Sequence, residues 1–151
     1  MESDLYRLGF TGTREGLTVG QRQALDRRVQ ELVCEHAGKV VAVHGACVGA
    51  DAAFDRVCID HTIPRSHRPG PVPALRMKNS QTLGSFVFSP EPFEVRNKKI
   101  AESVDHLLVC PKQMTEQRRG GTWQTYRFGL RRDIQITTFF PDGTTHDRWT
   151  S

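Results

Sequence analysis

Val40-Val41-Ala42-Val43-His44-Gly45-Ala46-Cys47-Val48-Gly49-Ala50-Asp51 runs from a β-branched stretch through two glycines into a segment where Ala53, Phe54, Val57 and Cys58 recur at helical spacing. Its first four residues are apolar without alternation, the pattern of a parallel strand covered on both faces. The stretch therefore reads as strand, small-residue loop, helix. The same unit stands just upstream, where an apolar segment from Leu5 to Thr11 ends in Gly12-Thr13-Arg14 and a helical pattern follows from about Thr18 through Leu25, Val29, Leu32 and Val33. Gly38 falls where that helix should be capped.

Downstream, residues 64–92 hold six of the eight prolines and no sustained periodicity, so they read as a long irregular insertion; Thr62 to Arg65 is a candidate start for a third strand. The basic pattern then returns, with a short helix over 95–103 and an apolar strand over 107–110. A polar loop over 111–119, a helix opened by Gly120-Gly121-Thr122 and ending near Arg132, and a last strand over 134–140 follow. Pro141-Asp142-Gly143 is a turn, and residues 144–151 read as a loose tail. Alternating strands and helices predict a single α/β domain over 1–151, a Rossmann-like three-layer sandwich with a mostly parallel sheet in the order 3-2-1-4-5. Ligands of such sheets bind beyond the carboxyl ends of the strands where the order reverses, here between the first strand and the Leu107 strand.

The chain has 151 residues, a formal charge of +4, a pI of about 9.1 and a mean hydropathy of −0.48. That size supports one core, and the basic balance suits an anionic partner. Cys34, Cys47, Cys58 and Cys110 form no C-x-x-C pair, so free thiols are expected. No apolar run approaches the ~20 residues of a membrane span and the amino terminus lacks a leader pattern, so a cytoplasmic location is expected. The six histidines show no metal-ligand spacing; no metal and no cofactor is expected, and His44 alone falls in the crevice.

Three loops carry the chemistry. In Gly12-Thr13-Arg14 a glycine lets backbone approach a ligand and Arg14 can pair with a phosphate or carboxylate. In His44-Gly45-Ala46 and Gly49-Ala50-Asp51 small residues lead into a helix, so backbone amides are expected to face an anion and Asp51 to accept from a ribose hydroxyl or to cap the helix. The spacing is neither G-x-G-x-x-G nor a P-loop. Arg118-Arg119-Gly120-Gly121-Thr122 is the strongest signal, since amides, the helix dipole and two guanidinium groups converge there. Arg96 and Asn97 stand at the start of the preceding helix, where cations oppose the dipole and so point either to an anion or to a solvated basic face. Trp123 and Tyr126 read as packing residues, and Trp123, Phe128 and Leu130 as the basis of a homo-oligomer.

These segments in this order, with Asp105-His106-Leu107-Leu108-Val109-Cys110-Pro111, resemble the SLOG superfamily of Rossmann-like domains over nearly the whole chain. That group includes cytokinin-activating phosphoribohydrolases, DNA-processing SMF proteins and nucleotide-sensing domains of bacterial and phage defence. The resemblance implies a nucleotide-related ligand on Gly12, Thr13, Arg14, Gly45, Gly49, Asp51, Gly120, Gly121 and Thr122. The phosphoribohydrolase branch is similar to a P-G-G-x-G-T-x-x-E pattern whose glutamate serves cleavage of the N-glycosidic bond; Thr125 stands in that place here. A threonine supplies no carboxylate. The expected function is binding, by sensing or sequestration, of a nucleotide-derived small molecule such as an ADP-ribose-like signal. One alternative is an N-glycosidase using Arg96 with Glu94, Glu116 or Asp51; another is single-stranded nucleic-acid binding.

Overall fold

The computed structural model describes residues 4–78 and 85–150. Its strands β1 (Tyr6–Gly12), β2 (Val40–His44), β3 (Arg65–His67), β4 (Ser85–Val87), β5 (His106–Cys110), β6 (Gln135–Phe139) and β7 (Thr145–Arg148) form one sheet in the order β4-β3-β2-β1-β5-β6-β7. Every pair is parallel except β6 with β7. The helices are α1 (Val19–Glu35), α2 (Ala50–Asp60), α3 (Phe93–Glu102) and α4 (Gly121–Arg132).

Alternation along the central strands sorts the core into two layers. Leu8, Phe10 and Leu108 pack with Leu25 and Val29 of α1 and Phe54 of α2. Leu107, Val109 and Val43 face the opposite way, toward Ile100 of α3 and Ile136 of β6, with Tyr126 and Leu130 of α4 against them. The result is the expected three-layer α/β sandwich with the strand order reversing between β1 and β5. Helix α1 begins with a capping box, in which Thr18 accepts from the Gln21 amide and the Gln21 side chain accepts from the Thr18 amide. The Gln21 side-chain amide is buried and its Nε2 donates to the carbonyls of Pro111 and Phe139 at 2.7 and 2.9 Å, so α1 is tied to the ends of β5 and β6.

Three expectations need correction. The third strand starts at Arg65, because Thr62 at φ 57° and the Ile63 amide, bonded to the Cys58 carbonyl at 2.8 Å, still belong to the closure of α2. The 64–92 stretch is more ordered than its prolines suggest. It holds β3, β4 and a 3-10 turn at Pro73–Leu75, and it is pinned to the second glycine loop by Met77 N–H to Ala46 and Val48 N–H to Leu75; part of it, 79–84, lies outside the described residues.

The tail is not loose at 145–148. Asp142 accepts from the Thr144 amide and hydroxyl in the turn, and β7 then pairs back on β6. Asp147 receives both Nη groups of Arg28 at 2.7 and 3.1 Å and the Thr137 hydroxyl at 2.6 Å. Thr137 in turn accepts from His106 Nε2, whose ring takes the Tyr6 hydroxyl on Nδ1. Burial and the nearby Arg28 lower the His106 pKa to about 4, which keeps this ring neutral at pH 7.

Candidate functional site

The crevice at the reversal of strand order is a cavity of about 380 Å³ at the carboxyl ends of β1, β2 and β5. It brings together Gly12, Thr13, Arg14, Gly45, Asp51, Arg96, Asn97, Arg119, Gly120, Gly121 and Thr122, all read as site residues from the sequence. It also takes in Cys47, Gln113 and Trp123. Trp123 is buried and donates its indole N–H to Gln113, so it packs the wall as expected. Trp123 and Phe128 are both buried within the single chain and contribute no exposed apolar stripe to a partner.

The second glycine loop plays a different part from the one expected. Four of its amides are already used: Ala46 N–H donates to His44 Nδ1, Cys47 N–H to Asp51 Oδ2, Val48 N–H to the Leu75 carbonyl and Ala50 N–H to the Thr13 carbonyl. The loop therefore offers the cavity a carboxylate in place of an amide cradle. Asp51 is 5% exposed, and its Oδ1 has no hydrogen-bond partner among the described residues. Burial pushes its carboxyl above the usual range, an effect opposed in part by the Arg96 guanidinium. Gly49 lies behind the loop, outside the cavity lining. At φ 85° and ψ −124°, it lets the α2 start press on the Arg14 backbone, where a Cβ would overlap the Arg14 carbonyl.

The start of α4 supplies the donors. Gly120 is its N-cap without a side-chain cap, so the amides of Gly121, Thr122 and Trp123 precede the first intrahelical donor, the Gln124 N–H bonded to the Gly120 carbonyl, and carry the positive end of the helix dipole. Arg119 is exposed beside them and makes no ion pair or hydrogen bond with the described residues. The Gly12–Cys110 pairing of β1 and β5 sets the Thr13 loop alongside, with Thr13 N–H held by the Cys110 carbonyl at 3.1 Å.

Arg96 and Asn97 line the cavity but are largely committed. Arg96 donates to the carbonyls of Gly45 at 2.8 Å and Arg68 at 3.2 Å and to Asn97 Oδ1 at 2.7 Å, and Asn97 Nδ2 donates to Gln124. They brace α3 against the β2 loop and α4. Gly45 permits this, since a Cβ there would overlap the guanidinium. Of the three carboxylates proposed as a catalytic partner, Asp51 lines the cavity and Glu94 and Glu116 do not. Glu94 is exposed on α3, and Glu116 pairs with Arg127 at 3.0 Å. Thr125 is fully buried and donates to the Gly121 carbonyl, a helix-packing role.

His44 does not enter the crevice. Its Nδ1 accepts the Ala46 N–H, so its proton sits on Nε2, aimed at Asp55 Oδ1 at 2.8 Å. The same oxygen receives His67 Nε2 at 2.8 Å and Arg65 Nε at 2.6 Å. Burial alone would raise Asp55; the bonds from His44, His67 and Arg65 overcome it and hold the carboxyl well below the usual range. His44, Asp55 and His67 lie close enough to hold a metal. The donor set does not fit one: His44 Nε2 carries the proton a ligand nitrogen must lose, and Arg65 already neutralises the carboxylate. Strand parity was the available signal for His44, which shares a face with Val40 and Ala42 of the α1/α2 core.

Three of the four cysteines are buried and all four are free thiols; burial, then Asp51, pushes the Cys47 thiol up. Among the described residues no helix is long and apolar enough to cross a membrane.

The sheet order, the crevice at its reversal and the amide-bearing start of α4 define a Rossmann-like α/β domain with a cavity at its carboxyl edge. Among solved structures the chain is similar to the X-ray structure of DNA processing protein A (DprA) from Streptococcus pneumoniae, with a TM-score of 0.65 and 16% identity over 91% of this chain and 51% of that one. It thus spans about half the length of that protein, and at this identity the likeness is one of fold. No protein-family model and no curated protein sequence matches.

Proposed function

We propose that the chain binds a nucleotide-derived small molecule in this cavity without turning it over. One observation carries the reading: a buried carboxylate oxygen of Asp51 lacks a partner in the same cavity that receives the free amides of α4 and the uncommitted Arg119. A sugar hydroxyl satisfies the first and a phosphate the second, and a nucleotide carries both. An ADP-ribose-like signal is the finer reading within that class, and sensing or sequestration is the role it suits. Turnover by an N-glycosidase is the weaker reading, because the cavity carboxylates are Asp51 and a Glu15 already paired with Lys112 at 2.6 Å. Single-stranded nucleic acid is a further alternative, favoured by an arginine-lined cleft that opens beside the α4 start.

Replacing Asp51 with asparagine separates binding from folding. The amide keeps the acceptor for Cys47 N–H but loses the charge, so calorimetric affinity for ribonucleoside 5′-phosphates is expected to fall about tenfold or more. Stability at pH 7 is expected to hold or rise, since a buried carboxylate costs free energy there. The sign follows from the raised folded-state value: the contribution of Asp51 to stability is fully present below its unfolded value and is lost as pH rises through the folded value. Unchanged affinity in Asp51→Asn would remove the basis of the reading. Free base released from a nucleoside monophosphate by the wild type, and abolished by the same change, would shift it to the hydrolase.

A further inference from the structure

A second cleft of about 370 Å³ adjoins the cavity across the Gly120–Gly121 turn, between the starts of α3 and α4. Among the described residues five arginines line it, Arg14, Arg96, Arg118, Arg119 and Arg127, and no carboxylate does. Two are committed: Arg96 as described, and Arg127 to Glu116 and to the Gln117 and Arg118 carbonyls. The side chains of Arg14, Arg118 and Arg119 have no hydrogen bond or ion pair among the described residues. Arg14 is instead held over the Phe93 ring at 5.1 Å. The two compartments share Arg14, Arg96, Arg119 and the Gly120–Gly121 turn but differ in the rest of their lining. The first adds apolar walls from Phe10, Ile100 and Trp123 and the unpartnered Asp51 oxygen, whereas every charged side chain lining the second is an arginine.

We infer that the ligand enters with its nucleoside against Asp51 and carries at least two consecutive phosphoryl groups, the first on the α4 amides and the next in the arginine cleft. The inference rests on the nucleotide-binding reading and adds polarity and phosphate number to it. The charges dictate both. The unpartnered Asp51 oxygen suits a hydroxyl donor and not a phosphate, and a single phosphoryl group, met by the α4 amides and one guanidinium, leaves two of the three uncommitted arginines of the cleft without an anion. A second phosphoryl group places an anion between them and can take fork-like bonds from either guanidinium. A nucleoside diphosphate or a diphosphate-bridged sugar nucleotide meets this pattern.

Calorimetric titration of the whole chain with the four ribonucleoside 5′-monophosphates, the matching diphosphates and a ten-residue oligothymidylate tests it, alongside Arg118→Ala. Arg118 lines the second cleft and not the first. The best diphosphate is expected to bind about tenfold or more tighter than its monophosphate, and that ratio is expected to fall to near one in Arg118→Ala. Equal affinities in the wild type, or an Arg118→Ala loss of the same size for both ligands, overturn the inference and leave nucleotide binding standing. An oligothymidylate that binds tighter than every diphosphate overturns it in favour of a strand. If no mononucleotide and no strand binds, the underlying reading fails and takes this one with it.

Discussion

Asp55→Ala is expected to cost about 3–5 kcal/mol of unfolding free energy, the range for removing one partner of a buried ion pair. Few single side chains in the molecule organise more of it. Asp55 sits on α2 and receives His44 from β2 and both Arg65 and His67 from β3, so one carboxylate joins a helix to two strands. Its loss leaves a buried guanidinium and two ring N–H groups facing an apolar side chain. Urea unfolding at pH 7 measures this directly, and a loss below about 1 kcal/mol would show that water or repacking replaces the carboxylate. Asp55→Asn keeps the shape but turns an amide toward donors, so it should fall between the two.

The same residue gives the protein an acid limb. Its folded-state value lies below the unfolded carboxyl value of about 3.9, so its contribution is present above that pH and is lost as pH falls through the folded value. Asp51 has the opposite sign, because burial raises it. The two carboxylates are four residues apart on one helix face and both are buried, yet one holds the fold and the other is left for the cavity. The wild-type profile sums both effects, so comparison of the Asp51→Asn and Asp55→Asn profiles separates them.

Gly49→Ala is the second large effect, expected at about 2–4 kcal/mol, with strain contributing about 1–3 and a lost backbone hydrogen bond about 1. The position combines a backbone conformation that side chains rarely adopt with direct contact against the Arg14 main chain. Relief requires the α2 start to move away from the β1 loop, breaking the Ala50 N–H bond to Thr13 at 2.9 Å. Asp51 and Arg14 then separate, and nucleotide affinity should fall with stability. Thermal unfolding with calorimetry on one preparation tests both; a variant as stable as the wild type would mean the loop can yield at no cost.

Much of this architecture is legible in the residues. The unbroken Val40 to Val43 run, the helical spacing after Asp51 and the glycine pair before Trp123 specify local structure through burial and backbone freedom, and the reversal of strand order follows from how such units stack. Strands β4 and β7 are less so. They have three and four residues with no periodicity, and they exist because β3 and β6 offer free edges and because Arg28 reaches Asp147 from a distant helix. The loop residues of the cavity were readable as a set, but their roles were not. Whether Ala46 or Ala50 has a free amide depends on His44 and Thr13, and Arg96 looks like an anion ligand until the Gly45 and Arg68 carbonyls are seen to hold it. Asp55 carries no motif at all; only the convergence of β2, β3 and α2 reveals it.

The central claim is that phosphate rests on the start of α4 while the nucleoside faces Asp51. Amide chemical shifts of the ¹⁵N-labelled protein, followed while ribonucleoside diphosphates are added, address it residue by residue. The account predicts saturable shifts, with downfield movement largest at Gly121, Thr122 and Trp123 and a smaller response at Cys47, whose amide is bonded to Asp51. Shifts centred elsewhere on the sheet, or none with any of the four nucleotides, would contradict it.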